Sequence, residues 1–415
     1  MNSAKELLKC RFTGKPLKHV FADLGMTPLA NSYLTANELN APEVSYPLKV
    51  YVSESPFLVQ LPSHATSEQI FSDYLYFSSF SKSWLTHCKD YASVISQKLE
   101  LNSESLVMEV ASNDGYLLQY FKERNIPVLG IEPAKNVARV AIENGIETDI
   151  SFFGKTVAQN FALRGKKADL LIANNVIAHV PDLNDFLAGF SIVLKDDGVI
   201  TAEFPHLLRM IERNEFDTIY HEHFSYFSFA TIQNIFDHHG IRLFDVEELK
   251  THGGSIRVYG CKKNSSKYTL SPRVSEMIER ENEAGLGKLE TYLQFGNRVN
   301  QTKRDILLKL IEIKNSGKSI VGYGAPAKGN TLLNFCGIGK DFLDYTVDIS
   351  PHKQGCYLPG THVPIFHPDK IKETEPDYLM ILPWNLKDEI VSQMSFVREW
   401  GGKFIVPIPQ IQVVD

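Results

Sequence analysis

From about residue 69 onward, short apolar runs alternate with amphipathic stretches. This alternation limits the possible folds more than any other feature of the chain. Residues 106–110, 128–132, 168–174 and 198–204 read as strands, and residues 115–124, 137–144 and 183–194 between them read as helices. Strands separated by helices predict parallel βαβ units, and therefore an α/β fold. Residues 231–239 add a helix, and 257–261 read as a late, edge-type strand. Residues 273–316 are rich in Glu, Lys, Arg and Leu and predict one or two long helices. Strand candidates resume at 319–324, 345–348, 378–382 and 404–407, giving a second, smaller α/β domain. The start of the chain is different. Six prolines between Pro16 and Pro62 leave only short strand-like pieces at 48–52 and 57–61, so a small irregular lobe is expected. The expected division is 1–68, 69–272 and 273–415.

Composition narrows the partners. With 43 Lys+Arg against 49 Asp+Glu in 415 residues, the net charge is −6, which argues against nucleic acid as the main ligand. No apolar run approaches the ~20 residues of a membrane span, and the first residues lack the apolar core of a signal peptide. Cys10, Cys88, Cys261, Cys336 and Cys356 are scattered and odd in number, which suits free thiols in a reducing, cytoplasmic setting. Nothing in the sequence chooses between monomer and oligomer.

The first strand ends in Glu109-Val-Ala-Ser-Asn-Asp-Gly115. In an open α/β sheet, ligands sit at the carboxyl ends of the strands. A dinucleotide site would carry G-x-G-x-x-G, because two phosphates need bare backbone. Here Ala111 and Ser112 stand in the glycine places, Asn113 follows, and Gly115 remains. That counts against an NAD-dependent oxidoreductase. A ligand without phosphates, such as S-adenosylmethionine (SAM), tolerates the turn. Glu132, 23 positions beyond Glu109 and followed by Pro133, ends the second strand, where an acid can accept from both ribose hydroxyls. Asp149 could meet the adenine amino group, and Asn174 and Asn175 end the next strand on the same edge. Solvated strand ends are the plainer alternative.

A second cluster is Tyr220-His221-Glu222-His223, flanked by Phe216, Phe224, Tyr226, Phe227 and Phe229. Imidazole titrates near neutrality and is the usual general base. In a strand, His221 and His223 would share a face, so metal binding stays open. A polar loop with satisfied histidines is a further alternative. The aromatic surroundings point to a partly buried pocket in which a base can be tuned. In the last domain, Gly322-Tyr-Gly-Ala-Pro-Ala-Lys328-Gly-Asn330-Thr331 follows a strand and opens a helix, a candidate anion site beside a simple tight turn. Arg257 is a second candidate for phosphate or base contact.

Asp73–Ser79, Glu109–Leu118, Gly130–Ala134, Ala173–Asp182, Tyr220–Ser228, His252–Arg257 and Gly322–Asn334 together resemble the SAM-dependent C-methyltransferases of deoxysugar biosynthesis. The resemblance runs along nearly the whole chain. It implies a central class I SAM-methyltransferase (Rossmann-like) domain, a small N-terminal zinc lobe, and a C-terminal Rossmann-like α/β domain that helps hold the substrate. It further implies methylation at C3 of a nucleotide-linked 4-keto-6-deoxy sugar. His223 would be the base, Tyr220 and Glu222 its partners, and Tyr74 and His179 further active-site residues. Tyr76 would share a strand face with Tyr74 as a substrate contact, and Lys328, Asn330 and Thr331 would meet the sugar-nucleotide diphosphate. An O- or N-methyltransferase on the same scaffold is the alternative. The family's two C-x-x-C pairs are degenerate here: the first reads Cys10-Arg-Phe-Thr13 and the second falls in Ser53-Glu-Ser-Pro56. One thiolate cannot close a tetrahedral site, so no zinc is expected.

Overall fold

The structure, a computed structural model, describes residues 8–64, 77–80 and 82–415. Packing divides the chain into two compact units that do not follow its linear order. The first contains Met1–Leu17, Ser53–His206 and Phe224–Gly287; the second contains Lys18–Val52, Leu207–His223 and Lys288–Asp415.

The first unit is built on a seven-stranded sheet ordered Ile241–Leu249, Ser255–Lys262, Leu194–Pro205, Ala168–Asn174, Val107–Val110, Val128–Ile131, Thr148–Asp149. The five strands from Leu194–Pro205 to Thr148–Asp149 are parallel, and Ser255–Lys262 runs antiparallel to both of its neighbours. This is the expected class I methyltransferase arrangement. The central strands are near-continuous apolar runs because helices cover both faces. Val107, Leu170, Ile172 and Val199 pack with Cys88, Ile95, Phe121 and Tyr259 in one buried cluster.

Two helix starts show how local sequence sets boundaries. Asp182 accepts the Asp185 N–H ahead of Leu183–Val193, and Ser228 accepts the Thr231 N–H ahead of Phe229–His238. The second helix has a further cap. The fully buried Glu281 accepts from the Phe229 and Ala230 amides at 2.5 and 2.9 Å and pairs with His206 Nε2 at 2.6 Å.

The strand containing Arg257 is not an edge. Ile241–Leu249 lies outside it. That outer strand carries Arg242, Asp245, Glu247 and Glu248, and such charge obscures strand periodicity while protecting an exposed edge.

The N-terminal turn of this unit is tied by side chains. Gln60, in the short strand Val59–Gln60, donates to Cys10 Sγ at 3.2 Å and accepts the Arg11 N–H at 2.8 Å. The Arg11 guanidinium donates to the carbonyls of Pro181 and Leu61 at 2.7 and 2.5 Å and lies 5.4 Å from the Phe224 ring centre.

The second unit has a six-stranded sheet ordered Ile365–Phe366, Thr346–Val347, Ile320–Tyr323, Tyr378–Ile381, Lys403–Val406, Gln412–Val414, in which only the last strand is antiparallel. The stretch read as one or two helices contains Pro272–Glu283, Leu289–Leu293 and Phe295–Asn315. Segments distant in sequence meet in this unit. The hairpin of His19–Thr27 with Tyr46–Val52 brings Phe21 onto Phe295, stacked at 4.4 Å. Phe21 and Phe295 are both fully buried, which removes roughly 2–3 kcal/mol worth of apolar surface from water for each ring.

Candidate active site

In the first unit, the strand order reverses direction between Val107–Val110 and Ala168–Asn174, the position where open α/β sheets bind ligands. The turn after Val107–Val110 alternates into left-handed backbone: φ is +57° at Ala111, +50° at Asn113 and +80° at Gly115. Two of these residues carry a Cβ, so the turn keeps a glycine-type shape at a cost in strain. At Gly115, an added Cβ would meet Ile146 Cγ1 at 3.0 Å. Gly130, on the neighbouring strand, leaves room for the Ser112 side chain.

Glu132 caps this turn. Its two carboxylate oxygens accept the Asn113 and Ala134 amides at 2.9 and 2.8 Å, which leaves lone pairs on each oxygen. Burial raises its carboxyl above the usual range, against the pull of those two amides. Burial also pushes Glu109, inside the strand, well above that range; the Tyr116 hydroxyl opposes the shift, and the charges of Glu132 and Asp114 add to it. Pro133 follows Glu132 in the turn, Asp149 pairs with Ile131 on the neighbouring strand, and Asn174 and Asn175 end the strand on the other side. Among the described residues, Ser112 Oγ, Asp114 Oδ1 and Asn174 Oδ1 are buried without a hydrogen-bond partner. Buried orphans of this kind imply a bound polar ligand or water. A buried carboxylate with lone pairs to spare and buried side-chain oxygens without partners at the strand ends are donor and acceptor chemistry that SAM could use. His179 closes the short helix Ile177–His179 in the same unit. Tyr74 and Tyr76 lie outside the described residues.

In the second unit, the Tyr220–His223 cluster forms a turn in which the His223 amide donates to the Tyr220 carbonyl at 2.9 Å. The metal alternative expected a strand here; among the described residues no group of three or more His, Cys, Asp and Glu is placed to hold a metal ion. His223 Nδ1 lies 2.9 Å from the Thr218 carbonyl. A carbonyl only accepts, so Nδ1 carries the proton and Nε2 is the basic nitrogen. Tyr220 Oη lies 2.8 Å from that Nε2 and donates to it. Glu222 is buried, and its carboxyl is pushed up to about 7 by that burial, with only the Asn31 hydrogen bond opposing. Such a group changes charge near neutral pH, as acid–base chemistry requires.

Sequence reasoning missed Asn31 and Thr218. Nothing local in Pro28-Leu-Ala-Asn31-Ser announces a contact 191 residues away. It also missed the acids around Lys328. Lys328 Nζ donates to Asn385 at 2.9 Å and lies 4.8 Å from the Trp384 ring centre. Burial lowers its pKa while Asp217 and Glu215 pull it up. Asp217 is pushed up to about 6 and Glu215 to about 8, burial being the main cause in both. Asp217, the acid of the two that is ionised at neutral pH, competes with a diphosphate for the lysine. Asn330 Nδ2 donates to the Ala30 carbonyl at 2.6 Å and Thr331 to the Ile219 carbonyl at 2.9 Å, so both side chains are internal ties.

Arg257 is likewise committed inside its own unit. Its guanidinium pairs with the buried Glu203, with Nε 2.8 Å from Oε1, and lies 4.2 Å from the Tyr91 ring centre. Burial works against ionising Glu203, but the His87 hydrogen bond and the Arg257 charge hold its carboxyl below the usual range. This pairing gives the arginine a structural partner within the sheet.

Family models match three stretches: a "C-methyltransferase C-terminal domain" at residues 250–409, a "methyltransferase domain" at 86–246 and a "putative zinc binding domain" at 10–71. The C-methyltransferase NovU of Streptomyces niveus is 34% identical over 407 residues, covering 98% of this chain and 97% of that protein. The chain belongs to this C-methyltransferase family. The ubiquinone biosynthesis O-methyltransferase of Bartonella quintana matches 95 residues of this C-methyltransferase at 27% identity, 23% of the chain and 38% of that protein. Among solved structures, a Pyrococcus horikoshii protein aligns at a TM-score of 0.38 and 14% identity, covering 47% of this chain and 98% of its own. An S-adenosylmethionine-dependent methyltransferase from Clostridium acetobutylicum aligns at 0.35 and 11% identity, covering 43% and 92%. The fold assignment rests on the strand order and on the methyltransferase-domain match.

The zinc-domain match covers the turn held by Gln60 and Arg11. The residues present there do not fit a closed zinc site: Cys10 is the single thiol of the pattern, and its sulfur faces a carboxamide. No helix among the described residues is long and apolar enough to cross a membrane.

Proposed function

We propose that this C-methyltransferase transfers a methyl group to C3 of a nucleotide-linked 4-keto-6-deoxy sugar, with His223 as the base. One observation carries the reading: the Thr218 carbonyl fixes His223 in the tautomer that leaves Nε2 basic, with the Tyr220 phenol 2.8 Å from that nitrogen.

Neutral carbon is too poor a nucleophile for methyl transfer, and a ketone at C4 makes the C3 proton removable. His223 takes that proton, and the Thr218 carbonyl stabilises the imidazolium by accepting from Nδ1. Tyr220 can turn its hydroxyl from Nε2 to the developing enolate oxygen. Glu222 balances the charge change. Bound SAM supplies an electrophilic sulfonium methyl for the enolate carbon. In the first unit, Glu132 accepts the ribose hydroxyls, Asp149 and Asn174 bracket the adenine, and the Ala111–Gly115 turn lies against the amino-acid end. By resemblance, Tyr74, Tyr76 and His179 contact the sugar. The cytoplasm is the setting this chemistry and the free thiols suit.

The test is solvent exchange. Incubated without SAM in heavy water with a nucleoside-diphosphate 4-keto-6-deoxyhexose, the wild-type protein should load deuterium at C3. His223→Asn should not, while still binding SAM by calorimetry. Undiminished exchange in the variant, or methylation of an oxygen on a 4-hydroxy sugar, would refute the reading.

A further inference from the structure

Glu222 is held from a distant part of the chain. Its Oε1 accepts from Asn31 Nδ2 at 2.6 Å. Asn31 lies in the irregular stretch after the strand His19–Thr27, a stretch with no regular hydrogen bonding of its own. Leu34 pairs with Tyr357 in an antiparallel bridge, and two side-chain ties hold the stretch nearer Asn31. Asn330 Nδ2 donates to the carbonyl of Ala30, the residue before Asn31, at 2.6 Å. Tyr33 Oη donates to the Ala325 carbonyl at 2.6 Å, and Lys353 Nζ reaches the same carbonyl at 2.8 Å. Ala325 lies in the turn between Ile320–Tyr323 and the helix Ala327–Cys336, which also contains Asn330. The glycine-rich turn and helix start therefore brace the residue that grips Glu222. That gives this motif a use other than cradling phosphate.

We propose that Asn31 is the positioning residue for Glu222, and that Asn330 and Tyr33 act on Glu222 by holding Asn31 in place. A carboxamide N–H favours the ionised carboxylate, and the bond direction fixes one of its two oxygens. The proposal rests on reading Glu222 and His223 as acid–base partners.

The experiment is a set of pH–rate profiles on the full chain, with folding of each variant checked by its melting curve. Glu222→Gln should remove one inflection. Asn31→Ala should move that inflection to higher pH by about 0.5–1 unit, the size of one charge-assisted hydrogen bond. It should also lower kcat at neutral pH roughly 3–10-fold with KM for the sugar little changed. Adding Asn31→Ala to Glu222→Gln should cost nothing more. Asn330→Ala, which removes only the brace, should give a smaller shift in the same direction. If Glu222→Gln removes the inflection but Asn31→Ala leaves it in place, the inference fails and the acid–base reading stands. A rise in KM for Asn330→Ala with no shift would make Asn330 a substrate contact and end its bracing role. A Glu222→Gln enzyme with the wild-type profile would remove both.

Discussion

The Tyr220 phenol lies 2.8 Å from Nε2 of His223, while Nδ1 of the same ring points at the Thr218 carbonyl 2.9 Å away. The one basic nitrogen is therefore occupied by a hydroxyl that must turn away, or pass its own proton on, before a carbon acid can be deprotonated. His223→Asn should lower kcat by roughly 10²–10⁴, the usual worth of a positioned base. Tyr220→Phe should cost less, about 10–100-fold, because Nε2 survives. Steady-state rates on the two variants check this. A Phe variant as impaired as the Asn variant would make the phenol oxygen the proton acceptor.

How much of this could be read from the sequence depends on the distance over which each contact acts. Glu132 and the Ala111–Gly115 turn were visible because strand-end chemistry is local and its spacing is fixed by one βα unit. The Tyr220–His223 cluster was visible as composition. Its tautomer was not, since Thr218 contributes through its backbone. The pairing of Arg257 with Glu203 was not visible because the two lie 54 residues apart on neighbouring strands. The acids near Lys328 were not visible because a lysine at a helix start looks the same whether or not Asp217 and Glu215 lie beside it. The two-unit packing, which takes residues 18–52 and 207–223 into the C-terminal unit, leaves no local signature.

The second unit should lose stability as pH rises through neutrality. Burial lifts Asp217 to about 6, Glu222 to about 7 and Glu215 to about 8. In the unfolded chain such groups titrate near 4, so the folded state binds protons more tightly. The stability they contribute is complete below about pH 4 and is lost as pH rises through the folded-state values. Melting temperature should therefore fall between about pH 5.5 and 8.5, and less steeply in Glu215→Gln. Scanning fluorimetry across buffers decides it; equal slopes would acquit Glu215.

The donor turn should tolerate relief of strain better than crowding. Ala111→Gly removes a Cβ from left-handed backbone at φ +57° and should stabilise by up to about 1 kcal/mol with SAM affinity unchanged. Gly130→Ala places a Cβ into Ser112 Oγ and 3.1 Å from Thr148 Oγ1, which must displace the turn. SAM affinity should fall at least about tenfold, about 1.4 kcal/mol, in a calorimetric titration, with the secondary structure retained.

Arg257 offers a clean separation of stability from binding. Truncation to Met leaves the buried Glu203 carboxyl with His87 as its partner, and breaking a buried pair costs up to about 3–5 kcal/mol. Chemical denaturation should show that loss. A phosphate ligand would instead leave stability intact and raise KM for the sugar nucleotide.

The N-terminal turn should stand without metal. Gln60→Leu keeps the volume but strips the Arg11 N–H of its partner, and the Cys10 sulfur of one of several, at a site where Gln60 is fully buried. An abandoned buried donor costs about 1–3 kcal/mol, so melting should drop by several degrees. The wild-type melting curve should be indifferent to a strong chelator, because the cross-link is a carboxamide and a guanidinium rather than thiolates. Elemental analysis of protein expressed with added zinc provides the independent check. A stoichiometric metal that survives gel filtration, with a chelator-sensitive melt, would mean that ligands beyond Cys10 complete a site there.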